Sequence, residues 1–354
     1  MSTPERFSLA DTLNLALPML PRELADPHER NCLLQLAARL PPIAHILLEC
    51  RLGKPGPVDL SLCISNAEID KSLLRQYLLT NEIADVCAPL SRFIHWWCDK
   101  NDPDTGLKSA WLEFDANSVS EELTPPAIFL SLNRPTVKSD TEAMGAAVAL
   151  ECLQTGGTAK LDNWLACLPG GAIPTFVGVM LSRPVAALRL NIAGLTADSA
   201  LQWLTTYGAG PGDSGELFKS IYKLAGKPIL TVDLDDRVGP RIGLECRPET
   251  DLNAQIMYKL LAAHNVCGAA QFDSMQTWPG HSSIFDTDVE WPLHLVLESM
   301  IRSNAGASVL VRQVNHVKAV FDDTGLCEAK IYLGLNHAVY SLDQIGVSSE
   351  SETK

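Results

Sequence analysis

Five times along this chain, a pair of helical patterns is followed by a pair of strand patterns, and repetition of a whole supersecondary unit constrains architecture more than any single motif. The first unit has helical periodicity over 9–17 and 29–40, separated by Pro18, Pro21 and Pro27. Strands over 45–52 (HILLECRL) and 58–65 (VDLSLCIS) follow, with the Gly and Pro cluster 53–57 reversing the chain between them. The later units place helices at 66–79 and 82–99 before strands 110–115 and 127–133. Helices 140–154 and 161–168 precede strands 175–181 and 186–193, with Arg183 and Pro184 at the turn. Helices 197–207 and 215–225 precede strands 229–235 and 241–247, joined through Gly239 and Pro240. A helix at 252–264, an irregular stretch holding Trp278-Pro279-Gly280 and a helix at 292–302 lead to the closing hairpin, 315–335, which turns at Asp322-Asp323-Thr324-Gly325. Each unit spans roughly sixty to seventy residues.

Antiparallel hairpins joined by helix pairs exclude a doubly wound parallel sheet, which needs a crossover after every strand. Ten strands in one open sheet would leave exposed edges, and closure removes them. The expected fold is therefore α+β, a ten-stranded antiparallel β-barrel inside a ring of α-helices. Strand parity sets its polarity. Glu49 and Arg51, Asp59 and Ser61, Trp111, Glu113 and Asp115, Phe129, Ser131 and Asn133, Arg189 and Asn191, Thr231, Asp233 and Asp235, and Arg241, Glu245 and Arg247 fall on one face, while Leu, Val, Ile and Cys dominate the other. With ten helices to cover the apolar faces, the polar faces are expected to line a wide lumen. In the last hairpin His316, Lys318, Lys330 and Tyr332 take the lumen positions. One barrel domain is expected over 1–346, with a disordered polar tail at 347–354 (VSSESETK).

The formal net charge of −14, with only 28 Lys and Arg spread along 354 residues, argues against a nucleic-acid partner. The ten cysteines have neither C-x-x-C nor zinc-ligand spacing and mostly sit in apolar runs. No secretory pattern opens the chain and no apolar run approaches eighteen residues, so no membrane insertion and a cytoplasmic location are expected.

In the order and number of its elements, over about residues 25–343, the chain resembles the ABBA-type aromatic prenyltransferases. Locally the resemblance is carried by VKAVF and AKIYL of the last hairpin, similar to the Lys-bearing strands that family sets around a diphosphate, and by WLEFD, whose Glu113 is similar in position to the acid that orients an acceptor. The resemblance implies transfer of a prenyl group from a prenyl diphosphate to an aromatic acceptor, either a small molecule or a peptide side chain. It implies Arg51, Arg189, Lys318 and Lys330, with Tyr332 and Arg247, as diphosphate-binding residues. Trp111 and Phe129 would shield the allyl cation, and Glu113 would be the general base. The sequence also departs from the family: it has six Tyr in all, and its lumen positions are rich in acids. Those acids leave open recruitment of Mg²⁺, with Asp233 and Asp235 as metal candidates. They equally leave open a binding or accessory protein without transfer chemistry, or a different lumen enzyme that uses its carboxylates.

Two look-alikes carry no function. The glycine-rich stretch 208–215 (GAGPGDSG) lacks the ending of a phosphate loop, and its GDSG has no partner His and Asp; Ser214 is expected to cap the helix that follows.

Overall fold

The computed structural model describes residues 8–54, 56–80, 87–100, 107–116, 124–132, 140–153, 157–181, 187–285, 290–302 and 306–341. The tail expected over 347–354, the 183–184 turn, Asn133 and part of the 82–99 helix lie outside these residues. The first unit contains α1 (Leu9–Ala16), α2 (Pro27–Ala37), β1 (His45–Leu52) and β2 (Asp59–Ser65). The second contains α3 (Glu68–Thr80), α4 (Ala88–Asp99), β3 (Ser109–Phe114) and β4 (Ala127–Ser131). α5 (Asp140–Cys152), α6 (Gly157–Ala166), β5 (Ile173–Met180) and β6 (Leu188–Ala193) make the third. The fourth is α7 (Ala197–Thr206), α8 (Gly215–Leu224), β7 (Ile229–Leu234) and β8 (Val238–Cys246). Helix starts obey local chemistry: Asp26 and Glu29 form a capping box ahead of Pro27 at the first turn of α2, and Thr196 accepts from the Ser199 amide at α7.

The fifth unit is more elaborate than its sequence pattern. α9 (Asp251–Ala263) is followed by α10 (Ala269–Met275) and a short strand β9 (Gly280–Ser283), where the pattern read as irregular. α11 (Leu293–Arg302) then leads to β10 (Gly306–Asp322) and β11 (Gly325–Ser341). The closing hairpin is thus far longer than 315–335. A β-bulge between Val314 and His316 interrupts its period-two signal, so alternation read from the tip loses phase there. Buried polar groups tie the extension down: Trp291 Nε1 donates to Ser308 Oγ at 2.9 Å, Ser308 Oγ lies 2.7 Å from His337 Nε2, and Arg312 reaches Ser282 Oγ and the Trp278 carbonyl.

Strands β1 to β8 pair antiparallel in sequence order, β8 pairs with β10, β10 with β11, and β11 closes on β1 from His45↔Asn336 to Leu52↔Ala329. Ten strands therefore close a barrel, while β9 adds an outer edge against Val309–Arg312 of β10. The apolar strand faces, including Leu48, Leu60, Leu112, Leu130, Leu190, Leu244 and Phe321, pack outward under Phe93, Trp97 and Phe218 of the helices. Polar faces are left to point inward. No helix among the described residues is long and apolar enough to cross a membrane.

β8 also begins earlier than expected. Gly239 and Pro240 belong to the strand and the turn is Asp235–Arg237, because a register shift between Val232 and Leu234 opens the ladder where a proline can sit. The glycine-rich stretch before α8 has a structural role. Gly212 has φ +55°, and a Cβ there would lie 2.1 Å from the Asp323 carbonyl oxygen, so the β10–β11 turn docks on this segment. Ser214 stands at the N-cap position without a side-chain cap bond, its hydroxyl lying instead against Gly325. Gly212→Ala is expected to lower unfolding stability by about 1–3 kcal/mol through backbone strain and overpacking at this dock. It would be read as a lower denaturant midpoint at an unchanged slope.

Candidate active site

The inward strand faces enclose a cavity of about 330 Å³, at the small end of ligand sites. Its wall is almost wholly ionic. Arg51 and Glu49 of β1, Asp59 of β2, Glu113 of β3, Arg189 of β6, Asp233 of β7, Arg241 of β8, Lys318 of β10, and Glu328, Lys330 and Tyr332 of β11 all line it. The ladder registers explain the convergence. Glu49 faces both Asp59 and Tyr332, Arg51 faces Lys330, and Lys330 faces Lys318, which in turn faces Glu245. Lys318 lies across β8 where Gly243 leaves room, since a Cβ at Gly243 would come within 2.3 Å of Lys318 Cε.

Ion pairing is nearly complete. Lys330 Nζ donates to Glu49 Oε1 at 2.6 Å and the Tyr332 hydroxyl donates to the other oxygen of the same carboxylate. Arg51 Nη2 donates to Asp59 Oδ2 at 2.9 Å. Arg189 grips Asp233 in a two-bond fork at 2.7 and 3.0 Å. Arg241 pairs with Glu328 at the mouth, and Lys318 Nζ sits 3.6 Å from Glu245 Oε1 behind the cavity wall. Among the described residues, Glu113 is the lining carboxylate with neither a hydrogen bond nor an ion pair.

Burial and neighbouring charge push these acids apart. Burial raises Glu49, but Lys330 and Tyr332 outweigh it and hold its carboxyl at about 2. Burial and the Glu49 charge raise Glu113 to about 7, against the pull of Arg189 and Lys330. The same two causes raise Asp59 to about 6 despite Arg51. Burial lowers the Lys318 amine, only partly offset by Glu245. Deeper in the lumen, His316 stacks on Tyr332 with ring centroids 4.0 Å apart, and burial lowers it to about 4. Carboxyls with such divergent proton affinities in one cavity make a site able to hold a proton on one of them while its neighbour stays charged.

Of the residues expected at the site, Arg51, Glu113, Arg189, Lys318, Lys330, Tyr332 and Asp233 meet at this cavity. Arg247 does not: β8 ends at Cys246, and the exposed Arg247 donates to Asn315 Oδ1 at 3.0 Å. Asp233 and Asp235 do not form a metal pair, because the bulge at 233 breaks the alternation. Asp233 stays inside on Arg189, whereas Asp235 is drawn outward to Lys160, and its carbonyl accepts from Trp164 Nε1 at 2.9 Å. Among the described residues, no group of three or more His, Cys, Asp or Glu is placed to hold a metal ion. Trp111 and Phe129 are half-buried cross-strand neighbours on the lumen face, outside the cavity wall; Trp111 meets His45 edge-on at 5.0 Å. Arg241 was expected on the lumen face but not at the site, and Glu328 was not singled out from the sequence, although it stands two places before Lys330 and so shares its face.

A closed antiparallel barrel of ten strands inside a helical ring, built from ααββ units, is the architecture of the ABBA-type prenyltransferases. Solved structures agree at the level of fold. The 5-dimethylallyltryptophan synthase of Streptomyces coelicolor superposes with a TM-score of 0.55 at 12% identity, covering 93% of this chain and 98% of that one. The 6-dimethylallyltryptophan synthase of Micromonospora olivasterospora, solved in complex with DMASPP and Trp, gives 0.52 at 15% identity, covering 94% and 98%. A further 6-dimethylallyl tryptophan synthase gives 0.53 at 16%, covering 93% and 96%. No protein-family model and no curated protein matches the sequence.

The raised acids have a consequence for stability. Glu113 and Asp59 bind protons more readily folded than unfolded, so stability rises as pH falls from about 8 through 7 and 6. Glu49, depressed by its partners, works in the opposite sense, and its contribution is lost as pH falls from the ordinary carboxylate range towards 2. Thermal unfolding followed against pH is therefore expected to show maximum stability on the mildly acidic side. Glu113→Gln should stabilise the protein at pH 8 by on the order of 1–3 kcal/mol.

Proposed function

We propose that this protein is an aromatic prenyltransferase, moving a prenyl group from a prenyl diphosphate to an aromatic acceptor, a small molecule or a peptide side chain, inside the barrel. The observation that carries this reading is the convergence of Arg51, Arg189, Arg241, Lys318 and Lys330 from five strands on one cavity, with the unpaired Glu113 facing them. The fold supports it, since three solved structures that share it are dimethylallyltryptophan synthases, one of them holding DMASPP and Trp.

In this reading the cations and the Tyr332 hydroxyl receive the diphosphate. As the C–O bond to the prenyl group breaks, the negative charge growing on the leaving oxygens is met by charges already in place. The allyl cation would face Trp111 and Phe129 on the adjoining wall. Attack by the acceptor ring forms the new C–C or C–heteroatom bond, and the proton lost on restoring aromaticity goes to Glu113, whose elevated proton affinity suits a base working near neutrality. No step of this reading is routed through Mg²⁺: Asp233 is bound by Arg189, Asp235 faces away, and among the described residues no three acids are placed to hold a metal ion. A reducing cytoplasmic setting goes with this reading, supported by ten cysteines that are all free.

One observation favours a second reading, a binding or accessory barrel: every lining cation already carries a carboxylate partner. The two are separated by incubating the protein with dimethylallyl diphosphate and a panel of aromatic acceptors, with Mg²⁺ and with EDTA, and analysing products by mass spectrometry. Prenylated product is expected in both conditions. Arg189→Ala or Lys330→Ala should cost roughly 10²-fold or more in kcat/KM. Glu113→Gln should lower kcat by about 10²–10⁴-fold. With the native protein, the rate should rise with pH through about 7 as Glu113 loses its proton. Tight diphosphate binding without transfer to any acceptor would favour the accessory reading.

A further inference from the structure

The cavity carries five cationic and five carboxylate side chains in its wall, and the cations are taken in pairs: Arg51 with Asp59, Arg189 with Asp233, Arg241 with Glu328, and Lys330 with Glu49, while Lys318 leans on Glu245. The charge left over is a carboxylate, Glu113. Among the described residues, no lining cation is then left without a carboxylate partner. An anionic ligand must draw cations away from their partners, and a cation taken from Glu49 or Asp59, whose side chains are 3% and 4% exposed, leaves a buried carboxylate facing an anion. Buried like charges of this kind are relieved by protonation rather than tolerated.

We propose that the lumen takes up its anionic ligand together with a proton, carried by the carboxylate cluster of Glu113, Glu49 and Asp59. The inference rests on the diphosphate reading of the cavity and deepens it, assigning to the acids that distinguish this lumen the task of charge compensation. Glu113 is the first acceptor because nothing competes for its oxygens. The charged groups around it come from every side of the barrel. Glu49 and Arg51 face it from β1 and Asp59 from β2; Arg189, Asp233 and Arg241 close in from β6, β7 and β8. Lys318 and His316 lie on β10, with Glu328, Lys330 and Tyr332 on β11 and Glu245 deeper on β8. β4 and β5 bring Ala127, Phe129, Gly178 and Met180 to this face and no ionisable group. Of these neighbours, Glu49 and Asp59 oppose a charge on Glu113, and Arg189 and Lys330 support it. When Arg189 and Lys330 turn to the ligand, that support is withdrawn and an anion is added, so the carboxyl gains a proton. That proton has to leave again before Glu113 can act as the base of the transfer, so turnover at saturating ligand rises with pH above about 7 while affinity for the anion falls.

The experiment is calorimetric titration of the full chain with inorganic pyrophosphate in two buffers of different ionisation enthalpy, repeated with Glu113→Gln. The ionisation of pyrophosphate is common to both proteins, so their difference isolates the protein's share. Near pH 7 the native protein is expected to take up more than the variant by on the order of half a proton per site. Its affinity should weaken by up to about tenfold per pH unit above 7, relative to the variant. A second measurement avoids any dependence on the variant's folding: adding sulfate, which does not titrate between pH 6 and 8, to unbuffered native protein should raise the pH, since the proton then comes from solvent to the protein. Equal proton counts in the two proteins, or sulfate binding with no change of pH, would overturn the inference while leaving the diphosphate site standing. Failure of the native protein to bind either anion would overturn the diphosphate reading itself, and this inference with it.

Discussion

The Glu49 carboxylate, held by Lys330 and Tyr332 across the seam where the last strand meets the first, is the contact on which both the barrel and its interior depend. It is 3% exposed and so cannot lean on water; its charge survives because an ammonium and a phenol reach it from β11. The seam is an eight-residue antiparallel ladder between chain segments nearly three hundred residues apart. Closure therefore comes late in any contact hierarchy, and it sets the electrostatics inside. By remaining charged, Glu49 raises the neighbouring acids Asp59 and Glu113, and one buried ion pair thereby determines which carboxylates of the lumen can hold a proton near neutrality.

Charge balance is the second organising constraint. Ten strands with apolar faces turned to helices bring most polar strand positions inward, where Glu49 and Asp59 are almost wholly buried. In the proposed diphosphate reading, the cations that meet the ligand are held with counter-charges before it arrives, in the Arg189–Asp233 fork and the Lys330–Glu49 pair. The cost of such storage is that a ligand has to displace acids. In that reading the lumen is an exchanger of ion partners rather than a preformed positive hole. The small-to-large packing around it follows the same logic: Gly243 is empty where Lys318 must lie, and Gly212 is empty where the tip of the last hairpin must dock.

Much of this was legible in the linear chain. The order of helices and strands in the first four units, the inward parity of Glu49, Arg51, Glu113, Arg189, Lys318, Lys330 and Tyr332, and the closed antiparallel topology all follow from period-two alternation and from turn residues, which are local properties. What misled were places where locality broke. The bulge at Val314/His316 hid more than half the length of β10, and the bulge near Asp233 sent Asp235 outward and placed Pro240 inside a strand. Arg247 kept its parity but fell beyond the end of β8, where alternation no longer means lumen.

By itself, the sequence determined the kind of barrel and which side chains would look into it, because face and order are written in the spacing of apolar residues along each strand. Only the tertiary structure decided who partners whom. Pairing across the lumen depends on strand stagger, bulges and ring closure, which bring Lys330 to Glu49 and Arg189 to Asp233 while leaving Glu113 unclaimed. Coulombic energies that change steeply over a few ångströms turn those placements into the proton affinities on which the chemistry rests.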